Sequence, residues 1–148
     1  MPNKKTAPPV EILLVEDNPG DARLAEEALK DGRLYSHLNV VEDGIEAMAY
    51  LRKEDDYSQA TRPDLILLDL NLPRKDGREV LAEIKEDPSL KRIPVVVLTT
   101  SESETDIRNA YELYANCYIT KPSGLEQFVE VMKSVQYLWA RVATLPTS

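Results

Sequence analysis

The sequence predicts an α/β domain: a doubly wound, five-stranded parallel sheet with helices on both faces. Three observations predict it. Five short apolar runs of strand length recur along the chain. Each is followed by a segment with helical spacing of its apolar residues. The clearest runs are almost continuously apolar, as strands buried on both faces must be.

The first run is Val10-Glu11-Ile12-Leu13-Leu14-Val15, and it stops at the turn cluster Glu16-Asp17-Asn18-Pro19-Gly20. From Asp21 to Lys30, Leu24, Ala25, Ala28 and Leu29 share one helical face. The second strand is expected at Leu38-Asn39-Val40-Val41. Asp43-Gly44 then opens a helix with Ile45, Ala47, Met48 and Leu51 apolar. Glu54 to Pro63 is expected to be a loop. Leu65-Ile66-Leu67-Leu68 is the clearest strand and runs straight into Asp69. Pro73 and Asp76-Gly77 are turn signals. The next helix carries Val80, Leu81 and Ile84 and ends before Pro88. Pro94-Val95-Val96-Val97-Leu98 is the fourth strand. The polar loop Thr99 to Glu104 leads to a helix around Ile107 to Tyr114. Cys117-Tyr118-Ile119 is the fifth strand, and the last helix runs from about Gly124 to about Val142.

The 148 residues suit one domain. Residues 1–9 are expected to be a flexible lead, 10–142 the domain and 143–148 a tail. Hydrophobic residues make up 43% and charged residues 30%, enough for both a core and a soluble surface. The net charge of -8 repels nucleic acid and anionic membranes, so direct nucleic-acid binding is not expected. No apolar stretch reaches membrane-spanning length, and Met1 to Pro9 lacks a hydrophobic signal region. A cytoplasmic location is the expectation. Cys117 is the single cysteine, which excludes an internal disulfide, and it is expected to be a buried, reduced thiol.

In doubly wound sheets ligands sit beyond the carboxyl ends of the strands, so the residues just past each strand carry the chemistry. Here they are Glu16 and Asp17, then Asp69, then Thr99 and Thr100, then Lys121. Three carboxylates without a cation repel one another, and Mg2+ takes hard oxygen ligands of this kind. A carboxylate can act as a nucleophile and form an aspartyl phosphate. The phosphoryl oxygens then need positive charge and donors, which Mg2+, Lys121 and Thr99 can supply. Taken singly, each residue has a plainer reading. Asp17 could cap a helix, Asp69 could serve a turn, Thr99 could end a strand and Lys121 could be solvated. Their joint arrival at one sheet edge favours a site.

The stretches Val15-Glu16-Asp17-Asn18, Leu68-Asp69-Leu70-Asn71-Leu72-Pro73 with Asp76-Gly77, Val97-Leu98-Thr99 and Thr120-Lys121-Pro122 resemble the motifs of bacterial response-regulator receiver domains. The match spans roughly residues 10 to 142 in order and spacing. The resemblance implies a flavodoxin-like sheet in the order 2-1-3-4-5. It implies Asp69 as phosphoacceptor, fed by a sensor histidine kinase. Asp17, Asp69 and the Asn71 backbone carbonyl would hold Mg2+, with Glu16 acting largely through water. Lys121 would pair with the phosphoryl group, Thr99 would move toward it, and Tyr118 would change rotamer. Lys121-Pro122 would be a cis bond. Such a chain is a phosphoacceptor signalling protein that assists its own phosphorylation and dephosphorylation, not an ordinary enzyme. Its signal would leave by the face of the fourth helix, fifth strand and fifth helix.

Residues Ile66 to Leu81, Arg92 to Thr100 and Asn116-Cys117-Tyr118 also resemble a narrower group, the stand-alone regulators paired with cyanobacterial and bacterial phytochrome kinases. Some positions depart from the common pattern. Thr100 stands where alanine is frequent, and Ser101 follows it. Asn71 and Ser101 flank the phosphoryl pocket and bear on how long the phosphorylated state lasts. Tyr114 stands where a glycine often ends the fourth helix, at a cost of about 1 kcal/mol if the backbone is left-handed. His37 is expected to be a solvated loop residue.

The last helix has apolar residues over about half its circumference, more than one sheet contact needs. Leu125, Phe128, Val129, Met132 and Trp139 are expected to pack on the sheet. Val131, Val135, Leu138 and Val142 form a neighbouring stripe. A homodimer through this helix is expected, and the alternative is a tail folded back over the second stripe. Three other functions fit less well. A haloacid dehalogenase phosphatase wants a second carboxylate where Asn71 stands, and a flavodoxin electron carrier would not place Glu16, Asp17 and Asp21 against a phosphate. A non-phosphorylated pseudo-receiver would not need Asp69, Thr99 and Lys121 all intact.

Overall fold

The computed structural model describes residues 9–30 and 36–146. The expected flexible lead, apart from Pro9, and the last two residues of the tail lie outside the described residues. In chain order the elements are β1 (Val10–Val15), α1 (Pro19–Lys30), β2 (Ser36–Val41), α2 (Gly44–Arg52), β3 (Leu65–Leu68), α3 (Gly77–Glu86), β4 (Val95–Thr99), α4 (Glu104–Glu112), β5 (Cys117–Thr120) and α5 (Leu125–Tyr137). The strands form one sheet in the order β2-β1-β3-β4-β5, every pair parallel. This is the expected doubly wound order.

The period-two alternation of the strands divides the core into two layers. Leu13, Val15, Ile66, Leu68, Val95 and Val97 face α2 and α3, where Val80, Leu81 and Ile84 meet them. Ile12, Leu14, Leu65, Leu67, Val96 and Leu98 face α1 and α5, where Ala25, Leu29, Phe128 and Met132 meet them. All four β3 residues are completely buried, so both faces of the central strand are dry. Each such side chain contributes about 1.5–3 kcal/mol relative to exposure.

Local chemistry starts the helices where the strands leave off. Asn18 Oδ1 accepts the Asp21 N–H at 3.0 Å ahead of α1, with Pro19 as the first helical residue. Asp43 caps α2 through the Glu46 N–H, Asp76 caps α3 through the Arg78 N–H, and Ser103 caps α4 through the Asp106 N–H. Gly77 opens α3 where no other residue fits. A Cβ there would fall 2.2 Å from the Asp69 carbonyl oxygen and 2.6 Å from the Leu70 Cα. The start of α3 is therefore clamped onto the backbone of Asp69.

Several expectations are corrected. The buried face of α5 is Phe128, Met132, Val135 and Gln136, so Val135 belongs to the sheet-packing stripe. Leu125, expected in that stripe, is 61% exposed, because burial begins a turn later at Phe128. Gln136 is buried because its amide is satisfied. It donates to the Leu29 carbonyl at 3.1 Å and to Ser36 Oγ at 2.9 Å. Regular α-helix stops at Tyr137, and Leu138–Val142 widens into a π-helical turn. Cys117 is half-buried, since β5 is an edge strand. His37 lies in β2, its Nδ1 2.8 Å from Glu11 Oε2. The Lys121-Pro122 peptide is trans, the more stable isomer by about 0.5–1 kcal/mol. The loop after α2 contains a 3-10 turn, Asp55–Tyr57. Tyr114 does take the left-handed backbone, with φ 69°.

Candidate functional site

Because every strand is parallel, all carboxyl ends open at one edge, and the ladders bring them level. Glu16 N–H donates to the Val41 carbonyl at 3.0 Å, Asp69 N–H to the Val15 carbonyl at 3.1 Å, and Lys121 N–H to the Thr99 carbonyl at 2.7 Å. The residues just past β1, β3 and β5 and the last residue of β4 are thus drawn to one place. Glu16, Asp17 and Asp69 each present a carboxylate oxygen, all within 4.8 Å of one another. Glu16, Asp69, Thr99 and Lys121 are buried, and Asp17 is exposed.

Lys121 is the hub. Its Nζ donates to Glu16 Oε1 at 2.5 Å, to Asp69 Oδ2 at 3.0 Å and to Asp21 Oδ2 at 3.0 Å. The second oxygens of Glu16 and Asp69 are held by backbone. Asn18 N–H donates to Glu16 Oε2 at 3.2 Å and Asn71 N–H to Asp69 Oδ1 at 3.1 Å. Asn71 itself is exposed on the β3–α3 loop.

Three carboxylates pair with one ammonium and a fourth, Asp17, lies beside Glu16 and Asp69, and the electrostatics register the imbalance. Burial pushes the Glu16 carboxyl from its ordinary 4.5 up to about 7, against the lowering effect of Lys121 and with help from the Asp69 charge. Burial also works to lower the Lys121 pKa, but the hydrogen bonds to Glu16 and Asp21 and the charges of Asp69 and Glu16 carry it above its ordinary value. The excess negative charge and the all-oxygen donor set of Glu16, Asp17 and Asp69 fit a hard divalent cation such as Mg2+.

Thr99 supplies a second, independent pointer. Its Oγ1 is fully buried and has no hydrogen-bond partner among the described residues. Buried hydroxyls are almost always paired, so an orphan at a strand end is free to donate to an oxygen brought in by a ligand or a water. Tyr118 lies apart from the acids. Its hydroxyl donates to the Ser101 carbonyl at 2.9 Å and its N–H to Tyr111 Oη at 3.1 Å. The Ser101 hydroxyl is engaged with Asp106 Oδ2 at 2.6 Å.

The predicted residues Glu16, Asp17, Asp69, Thr99 and Lys121 therefore converge. Asn71 reaches the centre through its N–H, and Tyr118 stands one loop away. Asp21 was missed as a member. The signal was available: Asn18-Pro19 begins a helix whose first turn carries Asp21 back toward the strand ends.

A family model described as the response regulator receiver domain matches residues 12–133. The response regulator Rcp1 of Synechocystis is 51% identical over 141 residues, covering 95% of this chain and 96% of that protein. Among solved structures, a phosphorylated cyanobacterial phytochrome response regulator, RcpA, superposes with a TM-score of 0.92 at 57% identity, over 95% of this chain and 100% of that one. The Mn2+-bound form of Rcp1 superposes with a TM-score of 0.91 at 51% identity, over 94% and 100% of the two chains.

Proposed function

We propose, from the premise that this chain belongs to the response regulator receiver family, that it accepts a phosphoryl group from a sensor histidine kinase onto Asp69, with Mg2+ held by Asp17, Asp69 and the Asn71 carbonyl and by Glu16 through water. The observation that carries this is the buried, unpartnered Thr99 hydroxyl beside a cluster of carboxylates around one ammonium. Residues 10–142 act as the receiver unit.

Each residue has a distinct task. Asp69 is the nucleophile, and its backbone is held by β1 and by the start of α3. An O–P bond forms at Asp69 as the P–N bond to the kinase imidazole breaks. Lys121 exchanges a carboxylate partner for a phosphoryl oxygen, and Thr99 donates its free hydroxyl to another. Mg2+, when bound, offsets the mutual repulsion of the carboxylates and the charge on the phosphoryl oxygens. Glu16 and Asp21 hold the ammonium in place before transfer. The same constellation assists loss of the phosphoryl group to water.

Similarity to Rcp1 and to the cyanobacterial phytochrome response regulator RcpA supports a phytochrome as the kinase. A homodimer through the last helix, with Tyr111 and Tyr114 extending the patch, fits the exposed apolar surface there. Tyr111, Tyr114, Leu138 and Val142 are all exposed, Tyr114 by 74%. Movement of Thr99 and Tyr118 would carry the phosphorylation signal to that face. The reading places the protein in the cytoplasm, where a histidine kinase meets its ATP. No helix among the described residues is long and apolar enough to cross a membrane.

The test is intact mass after incubation with acetyl phosphate and Mg2+. The wild type is expected to gain one phosphoryl group and Asp69→Asn none. Full labelling of Asp69→Asn at another residue overturns the assignment.

A further inference from the structure

A polar chain outside the acid cluster joins α3 to the loop that follows Thr99. Its centre is Arg78, the second residue of α3. Arg78 Nη1 donates to both oxygens of Asp76, at 3.1 and 3.2 Å, and Nη2 pairs with Asp106 Oδ1 at 2.9 Å. Asp106 lies in the first turn of α4, and its other oxygen accepts the Ser101 hydroxyl at 2.6 Å. The Ser101 carbonyl accepts the Tyr118 hydroxyl. One residue before Arg78, Gly77 is packed on the Asp69 carbonyl. A continuous run of contacts therefore leads from the backbone of Asp69 through Arg78, Asp106 and Ser101 to Tyr118.

This run meets the site at a sensitive place. Thr99 has a buried hydroxyl without a partner, and two residues later the chain is pinned at Ser101 on both sides. Any shift of Thr99 toward an oxygen on Asp69 pulls the β4–α4 loop against these two anchors. The Asp106 anchor is tied back to α3 by Arg78. The charges agree with a tight pair. The Ser101 hydrogen bond, then the Arg78 bond, hold the Asp106 carboxyl below its ordinary pKa. The Arg78 guanidinium is held above its ordinary value despite partial burial.

We propose that Arg78 is a positioning residue for phosphoryl transfer: its ion pair with Asp106 latches the β4–α4 loop in the resting arrangement, and the latch must open for Thr99 to engage a phosphoryl group on Asp69. The proposal rests on the phosphoacceptor reading above and adds a control element to it. Arg78 acts through Asp106 and Ser101, not on the phosphoryl group itself.

The experiment follows the initial rate of mass gain from acetyl phosphate in Mg2+, alongside Mg2+ affinity of the unphosphorylated protein. The full-length wild type, Arg78→Ala, Asp106→Asn, the double variant and Arg78→Lys are compared. The pair is partly exposed, so opening it changes the rate by about two- to fivefold. Arg78→Ala and Asp106→Asn are each expected to label about two- to fivefold faster, and the double variant no faster than either single one, because both remove the same contact. Arg78→Lys is expected to stay near the wild-type rate, and Mg2+ affinity to be unchanged throughout. A wild-type or slower rate in Arg78→Ala overturns the latch, as does a parallel loss of Mg2+ affinity, which would mean that Arg78 only supports the packing of α3. The same holds for additive gains in the double variant. A wild type that gains no mass overturns the phosphoacceptor reading and the latch together, so the two failures are told apart.

Discussion

Lys121 and Glu16 are paired at 2.5 Å, and the side chains of both are almost wholly withdrawn from solvent. Such a pair is costly to break from one side, because the partner is left as an uncompensated buried charge. Lys121→Ala strands Glu16 and Asp69 together. It is expected to lose about 3 kcal/mol in chelator, read as a lower urea midpoint, and clearly less in saturating Mg2+. Equal losses in the two conditions would count against cation binding at these carboxylates.

Metal affinity itself isolates Asp17. Its carboxylate is exposed, bears on no core contact, and completes the oxygen cluster with Glu16 and Asp69. Asp17→Ala is expected to weaken Mg2+ binding at least tenfold, the loss of about 1.4 kcal/mol, with the thermal midpoint in chelator unchanged or raised. An unaltered Mg2+ titration would remove Asp17 from the ligand set.

Gly77→Ala tests the clamp between α3 and the backbone of Asp69. The added Cβ would overlap the Asp69 carbonyl oxygen and the Leu70 Cα, both backbone atoms that cannot swing aside. A destabilisation of about 1–3 kcal/mol is expected, together with slower labelling by acetyl phosphate. Wild-type values of both would show that the α3 start is free to shift.

Tyr114 ends α4 in the left-handed region and is largely exposed, so its ring contributes little packing. Tyr114→Gly is expected to raise unfolding stability by about 0.5–1 kcal/mol. If the same change weakens self-association in sedimentation, Tyr114 also belongs to the dimer face.

The proposed dimer has its own test. Leu138 and Val142 are 44% and 58% exposed on the π-helical turn, clear of the buried face of α5. Leu138→Glu/Val142→Glu is expected to be monomeric without loss of fold. A wild type that sediments as a monomer at high micromolar concentration, with and without phosphodonor, rules out the dimer.

What the sequence determined by itself is periodic or punctuated. Five apolar runs identified the strands, and the turn residues after them identified the helix starts. In a parallel sheet, strand ends share one edge, so Glu16, Asp17, Asp69, Thr99 and Lys121 could be brought together before any coordinate was known. The tertiary structure alone decided what depends on direction and depth. Val135 lies two turns beyond Phe128 and packs on the same buried face, while Leu125 lies about one turn before burial begins and stays exposed. Gln136 is buried because two acceptors on α1 and β2 happen to meet its amide. Asp21 reaches Lys121 across 100 residues, and Arg78 of α3 reaches Asp106 of α4. Contacts of that kind arise from where helices dock, and no spacing along the chain encodes them.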